Sequence, residues 1–332
     1  MYSTLLFDLD GTLIDSAADI AASVNHTRTH FGQAPLPLDA VKAAVGDGLP
    51  TLLERTVAAP ADAAKQVYWQ HHEQHCLDAT AVYPGVREGL EALRGRVRLG
   101  VVTNKPQAFA ARILAGLGLA DRFGCVVGGD TPAGKKPAPG PLLAALQQLY
   151  AGPWDALYVG DSANDVAAAR AAGTAACAIG WGFRPLATIR AAGPDHEARD
   201  FAQLVALCAG PASVHAALGC ETFCTLARAC YARVDRDPRL RAMFPPLLDQ
   251  AIEHQATFFI QFFGGPQDYS KQRGHPRLRM RHAPFRIDQA ARDAWYENML
   301  QAMAEVGIPE PAAGIMRRYF AHTATFLINA AS

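Results

Sequence analysis

The sequence lacks an excess of charge of either sign, since its 332 residues include 31 Lys and Arg and 31 Asp and Glu. This balance disfavours nucleic acid or a membrane surface as the main partner, because both attract strongly basic proteins. The chain also lacks a run of 18 uncharged apolar residues, and no basic, apolar leader precedes its first strand. We therefore expect a cytoplasmic protein that does not cross a membrane.

Cysteine motifs are also lacking, since none of the seven cysteines forms a C-x-x-C pair. Cys220 and Cys224 are one helical turn apart, a spacing that a metal site can use. Buried free thiols on a helix are the commoner outcome of such a spacing, and we expect that outcome here.

The length of the chain and a change in its pattern predict two domains. In residues 1–207, short apolar runs alternate with alanine-rich helical patterns, which predicts an α/β parallel-sheet, Rossmann-like core. Residues 15–82 look helical throughout and are expected to form a cap over the carboxyl ends of the strands. After a linker at 208–214, residues 215–332 show only helical spacing and predict an all-α domain. Candidate strands are 3–9, 97–103, 125–129, 156–160 and 175–180.

Four motifs lie at the ends of candidate strands: FDLDGTLIDS, VVTNK, GKKPAPGP and VGDSANDV. They supply Asp8, Asp10, Thr103, Lys136, Asp161 and Asp165. One carboxylate can attack phosphorus while another moves protons, and further acidic groups suit a hard divalent cation. A D-x-D-G sequence alone is often only a polar turn, but four such strand ends in this order indicate a phosphate-handling site.

The four motifs resemble those of the haloacid dehalogenase superfamily over roughly residues 1–205. The resemblance implies that Asp8 is the nucleophile, which forms an aspartyl-phosphate, and that Asp10 is the general acid and base. It implies that Lys136 and Thr103 neutralise the phosphoryl oxygens.

The resemblance also implies a Mg²⁺ site and a class of substrate. The ion would be bound by the carboxylates of Asp8 and Asp161 and the backbone carbonyl of Asp10, with Asp165 supporting them. Dehalogenases of the superfamily lack the second aspartate, so Asp10 favours phosphate esters. Within the phosphatases the motifs look like phosphoglycolate phosphatase, which implies 2-phosphoglycolate or a similar small monoester as substrate. A phosphomutase shares these residues and remains an alternative.

The stretch RGHPRLRMRHAPF, residues 273–285, lies far from the phosphate motifs and raises the question of a second function. By itself it is typical of a solvated face or a nucleic-acid patch with a structural histidine. Tyr231, an apolar helix at 251–263 and Trp295 provide an aromatic context, in which His282 suits an iron ligand and arginines suit carboxylates at the rim. His275 is expected to be a turn residue.

This part of the chain resembles the truncated haemoglobins of the second group over roughly residues 215–331, through CYARV, FFGGPQDYSKQRGHPRLRMRHAPFRI and RDAWYENM. The resemblance implies haem b, with His282 as the proximal ligand and O₂ or another diatomic molecule as the distal one. The implied distal residues are Tyr231, Phe244, Ala251, Gln255 and Trp295, and the implied propionate contacts are Tyr269 and Arg281. Phe244 stands where the family often has tyrosine, and Gln255 replaces a commonly apolar residue and can act as a substitute donor.

We therefore interpret the chain as a phosphatase fused to a haem-binding, O₂-binding globin. In one alternative the globin works in O₂ or NO chemistry beside an inactive phosphatase, against which the complete set of four motifs argues. In a second, the globin is a sensor that regulates the phosphatase. In a third, it is an interaction module without haem, against which His282, Tyr231 and Trp295 argue. The sequence predicts no oligomeric state.

Overall fold

The computed structural model describes residues 2–331 and contains two compact units, residues 2–209 and 210–331. The predicted linker, 208–214, runs from the last residue of one helix to the first residue of the next. Within the described residues, no helix combines the length and the apolar character that a bilayer span requires.

The first unit is built around a parallel sheet. The strands of this unit are β1 (Thr4–Phe7), β2 (Ile14–Asp15), β3 (Ala81–Val82), β4 (Arg98–Val102), β5 (Cys125–Val127), β6 (Ala156–Gly160), β7 (Ala175–Ile179) and β8 (His196–Ala198). Six of them form one sheet in the order β5-β4-β1-β6-β7-β8, with every neighbouring pair parallel. The central strand β1 is wholly buried, as expected of an apolar strand covered on both faces. The predicted fold class is confirmed, although β8 was missed.

Ten helices accompany these strands in the described residues of the first unit. They are α1 (Ala17–His30), α2 (Leu38–Ala44), α3 (Leu49–Thr56), α4 (Ala61–His75), α5 (Val86–Leu93), α6 (Gln107–Gly116), α7 (Gly140–Gln148), α8 (Ala163–Ala172), α9 (Leu186–Arg190) and α10 (Phe201–Cys208). A 3₁₀ turn, Ala120–Arg122, precedes β5.

Helices α1–α4 occupy the segment expected to be a cap. The expectation that residues 15–82 are helical throughout is wrong at both ends, where β2 and β3 pair antiparallel. This pairing brings the start and the end of the inserted segment together beside the sheet. The four helices share an apolar core, in which Val24, Val41, Leu53 and Tyr68 pack with Phe109 of α6.

The turn from β6 into α8 fixes two of the predicted acidic residues. Ser162 is the N-cap of α8 and forms a capping box with Asp165, whose carboxylate accepts hydrogen bonds from the Ser162 backbone N–H and hydroxyl. The helix ends at Gly173, whose backbone is left-handed. Asp161 and Asp165 therefore lie at the carboxyl edge of the sheet, where parallel α/β proteins place their ligands.

The second unit is all-helical among its described residues. It contains α11 (Val214–Val234), a 3₁₀ turn (Arg241–Met243), α12 (Asp249–Phe262), α13 (Asp268–Arg273), α14 (Leu278–His282), α15 (Gln289–Val306) and α16 (Ala312–Phe326). Helix α11 packs on α12 and α15, and α15 packs on α16. The four longer helices were predicted from their spacing, and the short α13 and α14 were not.

The expectation of buried thiols is wrong for Cys220, which is exposed, and Cys224 is half-buried. Helix α11 breaks at Gly219, where φ is +72°. Cys220 follows this break at the open start of the second helical segment, and its Sγ lies 3.2 Å from His215 Nε2. Both thiols are free.

Candidate functional site

A buried lysine lies between two of the predicted carboxylates at the carboxyl edge of the sheet. Lys136 Nζ is 2.9 Å from Asp8 Oδ1 and 2.7 Å from Asp165 Oδ1. Burial favours the neutral amine, but Asp165 and Asp8 outweigh it and hold the pKa of Lys136 above its usual value. The ammonium group is therefore kept charged beside Asp8.

Three buried carboxylates, those of Asp8, Asp161 and Asp165, each place an oxygen within 4.8 Å of the other two. Burial raises the pKa of Asp8 to about 6, with Asp165 adding to the rise and Lys136 opposing it. Burial likewise raises the pKa of Asp161 to about 7, with Asp165 and Asp8 adding to the rise. The cluster thus has more negative charge than its protein neighbours neutralise, which is the electrostatic condition for a bound cation.

The hydrogen bonds of the cluster show which oxygens are free to bind a cation. Both oxygens of Asp165 are occupied, one by Lys136 and the other by Ser162. Asp161 Oδ2 accepts a hydrogen bond from the Phe183 N–H, and Asp8 Oδ1 accepts one from the Leu9 N–H. The other oxygen of each of these two carboxylates accepts none from any described residue.

Gly11 allows the two predicted aspartates of the first motif to turn toward the cluster. Its φ is +79°, and a Cβ at this position would collide with the carboxylate of Asp161. A side chain is therefore excluded both by the left-handed backbone and by the close approach of Asp161.

Asp10 is held by two residues that the sequence analysis did not name. Ser16 donates a hydrogen bond of 2.5 Å to Asp10 Oδ1, and Lys105 Nζ lies 3.1 Å from Oδ1 and 3.3 Å from Oδ2. Ser16 and Lys105 are buried. Both residues belong to motifs quoted above, FDLDGTLIDS and VVTNK. Their contacts with Asp10 could not be predicted, because these depend on the conformation of the turns that follow β1 and β4.

Thr103 is buried and lies on the wall of a cavity that also contains Asp8, Asp10 and Asp161. Its hydroxyl oxygen accepts a hydrogen bond from the Lys105 backbone N–H. The neighbouring Asn104 joins the loop after β4 to the loop of Lys136, because its side chain bonds both the N–H and the carbonyl of Lys136. The structure thus brings all six predicted residues of the phosphate motifs to one edge of the sheet.

The cavity over this edge has a volume of about 50 Å³. The cap contributes Ile20, Val45, Gly46, Gly48, Leu49, Leu52, Tyr68 and His72 to its wall, and the loop after β7 contributes Phe183 and Arg184. A space of this size suits only a small ligand. None of these residues was predicted from the sequence to contact the substrate.

In the second unit, His282 ends the short helix α14 and is half-buried. Its Nδ1 lies 2.8 Å from the carbonyl oxygen of Leu278, one turn earlier. Because a carbonyl only accepts, Nδ1 carries the proton, and Nε2 is left with its lone pair available. Metal-bound histidines commonly have this arrangement, in which the second nitrogen donates to a backbone carbonyl.

The residues expected on the distal side lie on three helices and one turn. Tyr231 is on α11, Ala251 and Gln255 are on α12, Trp295 is on α15, and Phe244 follows the 3₁₀ turn. The rings of Tyr231 and Phe244 meet edge to face at 5.6 Å. Burial raises the pKa of Tyr231 well above its usual value, so its hydroxyl stays protonated.

Three of these distal side chains have polar groups without hydrogen-bond partners among residues 2–331. They are the Tyr231 hydroxyl, the Gln255 amide and the Trp295 indole N–H, and Tyr231 is the most buried of them. The indole of Trp295 packs against Phe320, with ring centroids 6.0 Å apart. Unpaired donors beside aromatic rings are suited to a ligand that accepts hydrogen bonds.

The two residues expected to contact propionates differ in their surroundings. Tyr269 is buried, and its ring packs on Phe258 with centroids 5.4 Å apart. Arg281 donates hydrogen bonds to the carbonyls of Pro276 and Arg273. In this arrangement Arg281 organises the loop between α13 and α14. His275 Nδ1 accepts a hydrogen bond from the Arg277 N–H within the same loop.

Comparison with known proteins identifies both units. Residues 5–179 match the family model "Haloacid dehalogenase-like hydrolase". A phosphoglycolate phosphatase of Chromobacterium violaceum is 45% identical over 195 residues, which cover 56% of this chain and 88% of that protein. The crystal structure of a predicted phosphoglycolate phosphatase from Haemophilus somnus is 29% identical, covers 62% of this chain and 97% of its own, and superimposes with a TM-score of 0.59.

Residues 213–329 match the family model "Bacterial-like globin". The chain is also similar to a haemoglobin of Chloroflexus aurantiacus, at 50% identity over 36% of this chain and 98% of that one, with a TM-score of 0.35. The predicted fusion is confirmed by the two family matches. The chain therefore belongs to the haloacid dehalogenase-like hydrolase family, as a phosphoric monoester hydrolase whose catalytic domain is followed by a bacterial-like globin domain.

Proposed function

We propose that the protein is a Mg²⁺-dependent phosphatase that hydrolyses 2-phosphoglycolate through an aspartyl-phosphate on Asp8, and that its globin domain binds haem and O₂. The observation that carries the proposal is the ion pair of Lys136 with Asp8 beside the free oxygens of Asp8 and Asp161. At the buried carboxyl edge of the sheet it brings together a nucleophile, the fixed positive charge of Lys136 and oxygens that can bind a metal ion.

In the first step, Asp8 attacks phosphorus. One oxygen of the Asp8 carboxylate supplies the electron pair for the new O–P bond. The bond from phosphorus to the ester oxygen breaks, and its electron pair leaves with that oxygen, which Asp10 protonates. Lys136, which is paired with Asp8, and Thr103, which lines the cavity, offset the charge on the phosphoryl oxygens.

In the second step, water releases the phosphate. Asp10, now a carboxylate, takes a proton from the water molecule, whose oxygen forms the new bond to phosphorus. The bond between phosphorus and Asp8 breaks, and Asp8 regains its carboxylate. Ser16 and Lys105 hold Asp10 in one orientation through both steps, since each donates to its carboxylate.

The donor set of the cluster fits Mg²⁺, which prefers oxygen ligands. Asp8 and Asp161 would each supply a free carboxylate oxygen, and Asp10 its backbone carbonyl, which accepts no hydrogen bond from residues 2–331. Asp165 would support this set from its place between Lys136 and Ser162. When bound, the ion supplies positive charge for the phosphoryl oxygens.

Phosphoglycolate is supported by the relatives and by the size of the cavity. The Chromobacterium violaceum relative is a phosphoglycolate phosphatase. The cavity is small, and Lys105 and the Tyr68 hydroxyl line it as possible donors to a remote carboxylate. Phosphate release from 2-phosphoglycolate, β-glycerol phosphate and p-nitrophenyl phosphate, each with Mg²⁺ and with EDTA, tests the proposal. It fails if no ester is hydrolysed or if EDTA has no effect.

The second unit fits a haem group. His282 presents a lone pair at Nε2, and Met280 and Phe285, on either side of it in the sequence, expose apolar surface that a macrocycle would cover. Tyr231, Gln255 and Trp295 would hydrogen-bond the distal ligand, with Phe244 and Ala251 as apolar neighbours. The haem iron, when bound, supplies the site for O₂. The visible spectrum of the purified protein, reduced and exposed to O₂, tests this part of the proposal.

Tyr269 and Arg281 remain our proposed propionate contacts. Tyr269 is favoured less, because its side chain is buried against Phe258. For Arg281, the two carbonyl bonds would position the guanidinium group, and its three remaining N–H bonds are available to a carboxylate.

A further inference from the structure

His72, on helix α4, has a buried nitrogen without a partner in the cavity that contains Asp8. The residue is 1% exposed and lines this cavity. Its Nδ1 lies 3.0 Å from Ser23 Oγ, whereas its Nε2 has no hydrogen-bond partner among the described residues. Buried polar atoms are normally paired, so an unpaired one that faces a substrate cavity indicates a contact made by the ligand.

The hydrogen bonds of Ser23 determine which nitrogen of His72 has the proton. The Ser23 hydroxyl donates to the carbonyl of Asp19 at 2.9 Å, which uses its only hydrogen. Its oxygen also lies 3.0 Å from His72 Nδ1 and 3.1 Å from the Nδ1 of the neighbouring His71. A hydroxyl has two lone pairs, so both histidines donate to it. His72 Nε2 is therefore an acceptor.

The surroundings of His72 keep the ring neutral. Burial lowers the pKa of His72 to about 2, and Lys105 and His71 add to the fall. Three further residues that contact the ring are uncharged: Tyr68 on the same helix, Phe109 on α6 and Ser23 on α1. Nε2 consequently presents a lone pair to the cavity and cannot donate.

We propose that His72 Nε2 accepts a hydrogen bond from a hydroxyl group at the end of the substrate remote from phosphorus. The proposal rests on the phosphatase function of the Asp8 site and extends its substrate class to small phosphate esters with a free hydroxyl. A carboxylate offers only acceptors, so phosphoglycolate leaves Nε2 unpaired and relies on Tyr68 and Lys105. Between esters that differ only at this remote group, a site with a buried acceptor favours the one that supplies the matching donor.

Two esters of equal size test the proposal in the wild-type protein. 2-Hydroxyethyl phosphate and propyl phosphate differ in that a methyl group replaces the hydroxyl. We expect kcat/KM to be about tenfold or more higher for the hydroxylated ester, because one hydrogen bond of ordinary strength corresponds to about this factor. Equal values, or a preference for propyl phosphate, would overturn the proposal.

Variants then assign the preference to His72. In His72→Phe the ring is kept and the acceptor is lost, so the ratio of the two kcat/KM values should fall to near one. His72→Gln restores a carbonyl acceptor and should recover part of the ratio. His71→Phe is the matched control, since His71 also bonds Ser23 but does not line the cavity. A ratio that survives in His72→Phe contradicts the assignment.

Binding of unreactive analogues separates this proposal from the phosphatase function itself. 3-Hydroxypropylphosphonate and butylphosphonate have the shapes of the two esters and cannot be hydrolysed at the P–C bond. Calorimetry of wild-type protein with Mg²⁺ should give a dissociation constant about tenfold lower for the hydroxylated compound. If no ester is hydrolysed but this preference appears, the phosphatase proposal fails while the role of His72 stands. If esters are hydrolysed and neither measurement shows a preference, the role of His72 is refuted alone.

Discussion

Lys136 Nζ and Asp8 Oδ1 lie 2.9 Å apart, in side chains that are almost completely buried. A buried ion pair of this kind leaves either partner uncompensated when the other is removed. Here the pair is also placed where a phosphoryl group would be attacked, because Asp8 lines the same cavity as Thr103 and Asp161.

Replacement of Lys136 by methionine should lower kcat by about 100-fold or more, as the loss of one fixed positive contact to a transition state typically does. Lys135→Met is the matched control, because Lys135 is the exposed neighbour and its Nζ donates to the Asp47 carbonyl, away from Asp8. Steady-state phosphate release measures both variants. A Lys136→Met enzyme no slower than Lys135→Met would remove Lys136 from the mechanism.

Mg²⁺ should stabilise the hydrolase unit more at pH 8 than at pH 5.5. The native pKa values of Asp8 and Asp161, about 6 and 7, are raised from 3.8. Between pH 3.8 and these raised values the native state binds more protons than the unfolded state. The metal-free unit therefore loses stability as the pH rises through this range. A bound cation offsets this loss at high pH, and protons displace it at low pH.

Differential scanning calorimetry with and without Mg²⁺ at both pH values measures this difference in Tm. Asp161→Asn removes one proposed ligand and should abolish most of the Mg²⁺ effect at pH 8. An equal Mg²⁺ effect at the two pH values would show that Asp8 and Asp161 do not bind the ion.

His282→Ala should lose haem or hold it weakly, while phosphatase activity is kept, because the substitution removes the Nε2 ligand and lies in the other compact unit. The haem content per chain, from the visible spectrum, provides the measurement. His275→Ala is the control, since His275 is exposed and bonds within its own loop. Normal haem content in His282→Ala together with loss of haem in His275→Ala would show that His275, and not His282, is the proximal ligand.

Tyr231→Phe should speed O₂ dissociation by about tenfold, because the hydroxyl has no partner among the described residues and is available to bound O₂. Stopped-flow dissociation gives the rate. CO is a weaker acceptor and should dissociate at nearly the wild-type rate. A similar change for both gases would indicate a steric effect.

The positions of Asp8, Thr103 and Asp161 could be predicted from the sequence, because each of these residues directly follows a strand. Parallel strands bring their carboxyl ends to one edge, so Asp8 and Asp161 meet although they are distant in sequence. The contacts of Lys105 and Ser16 with Asp10 could not be predicted in this way, because they depend on the backbone conformation of the turns after β4 and β1. His72 is one of eleven histidines, and its place in the cavity depends on the packing of α4 against α1 and α6. Strand β8 is three residues long and polar in part, so no apolar run marks it.

The most direct test of the account is Asp8→Asn, measured for phosphate release and for the haem spectrum in one preparation. An amide cannot form the aspartyl-phosphate, so phosphate release should fall by far more than tenfold. The spectrum should be unchanged, because His282 belongs to the other compact unit. Asp15→Asn, at an exposed aspartate in β2, should behave as wild type. Phosphate release by Asp8→Asn within about tenfold of wild type would contradict the account.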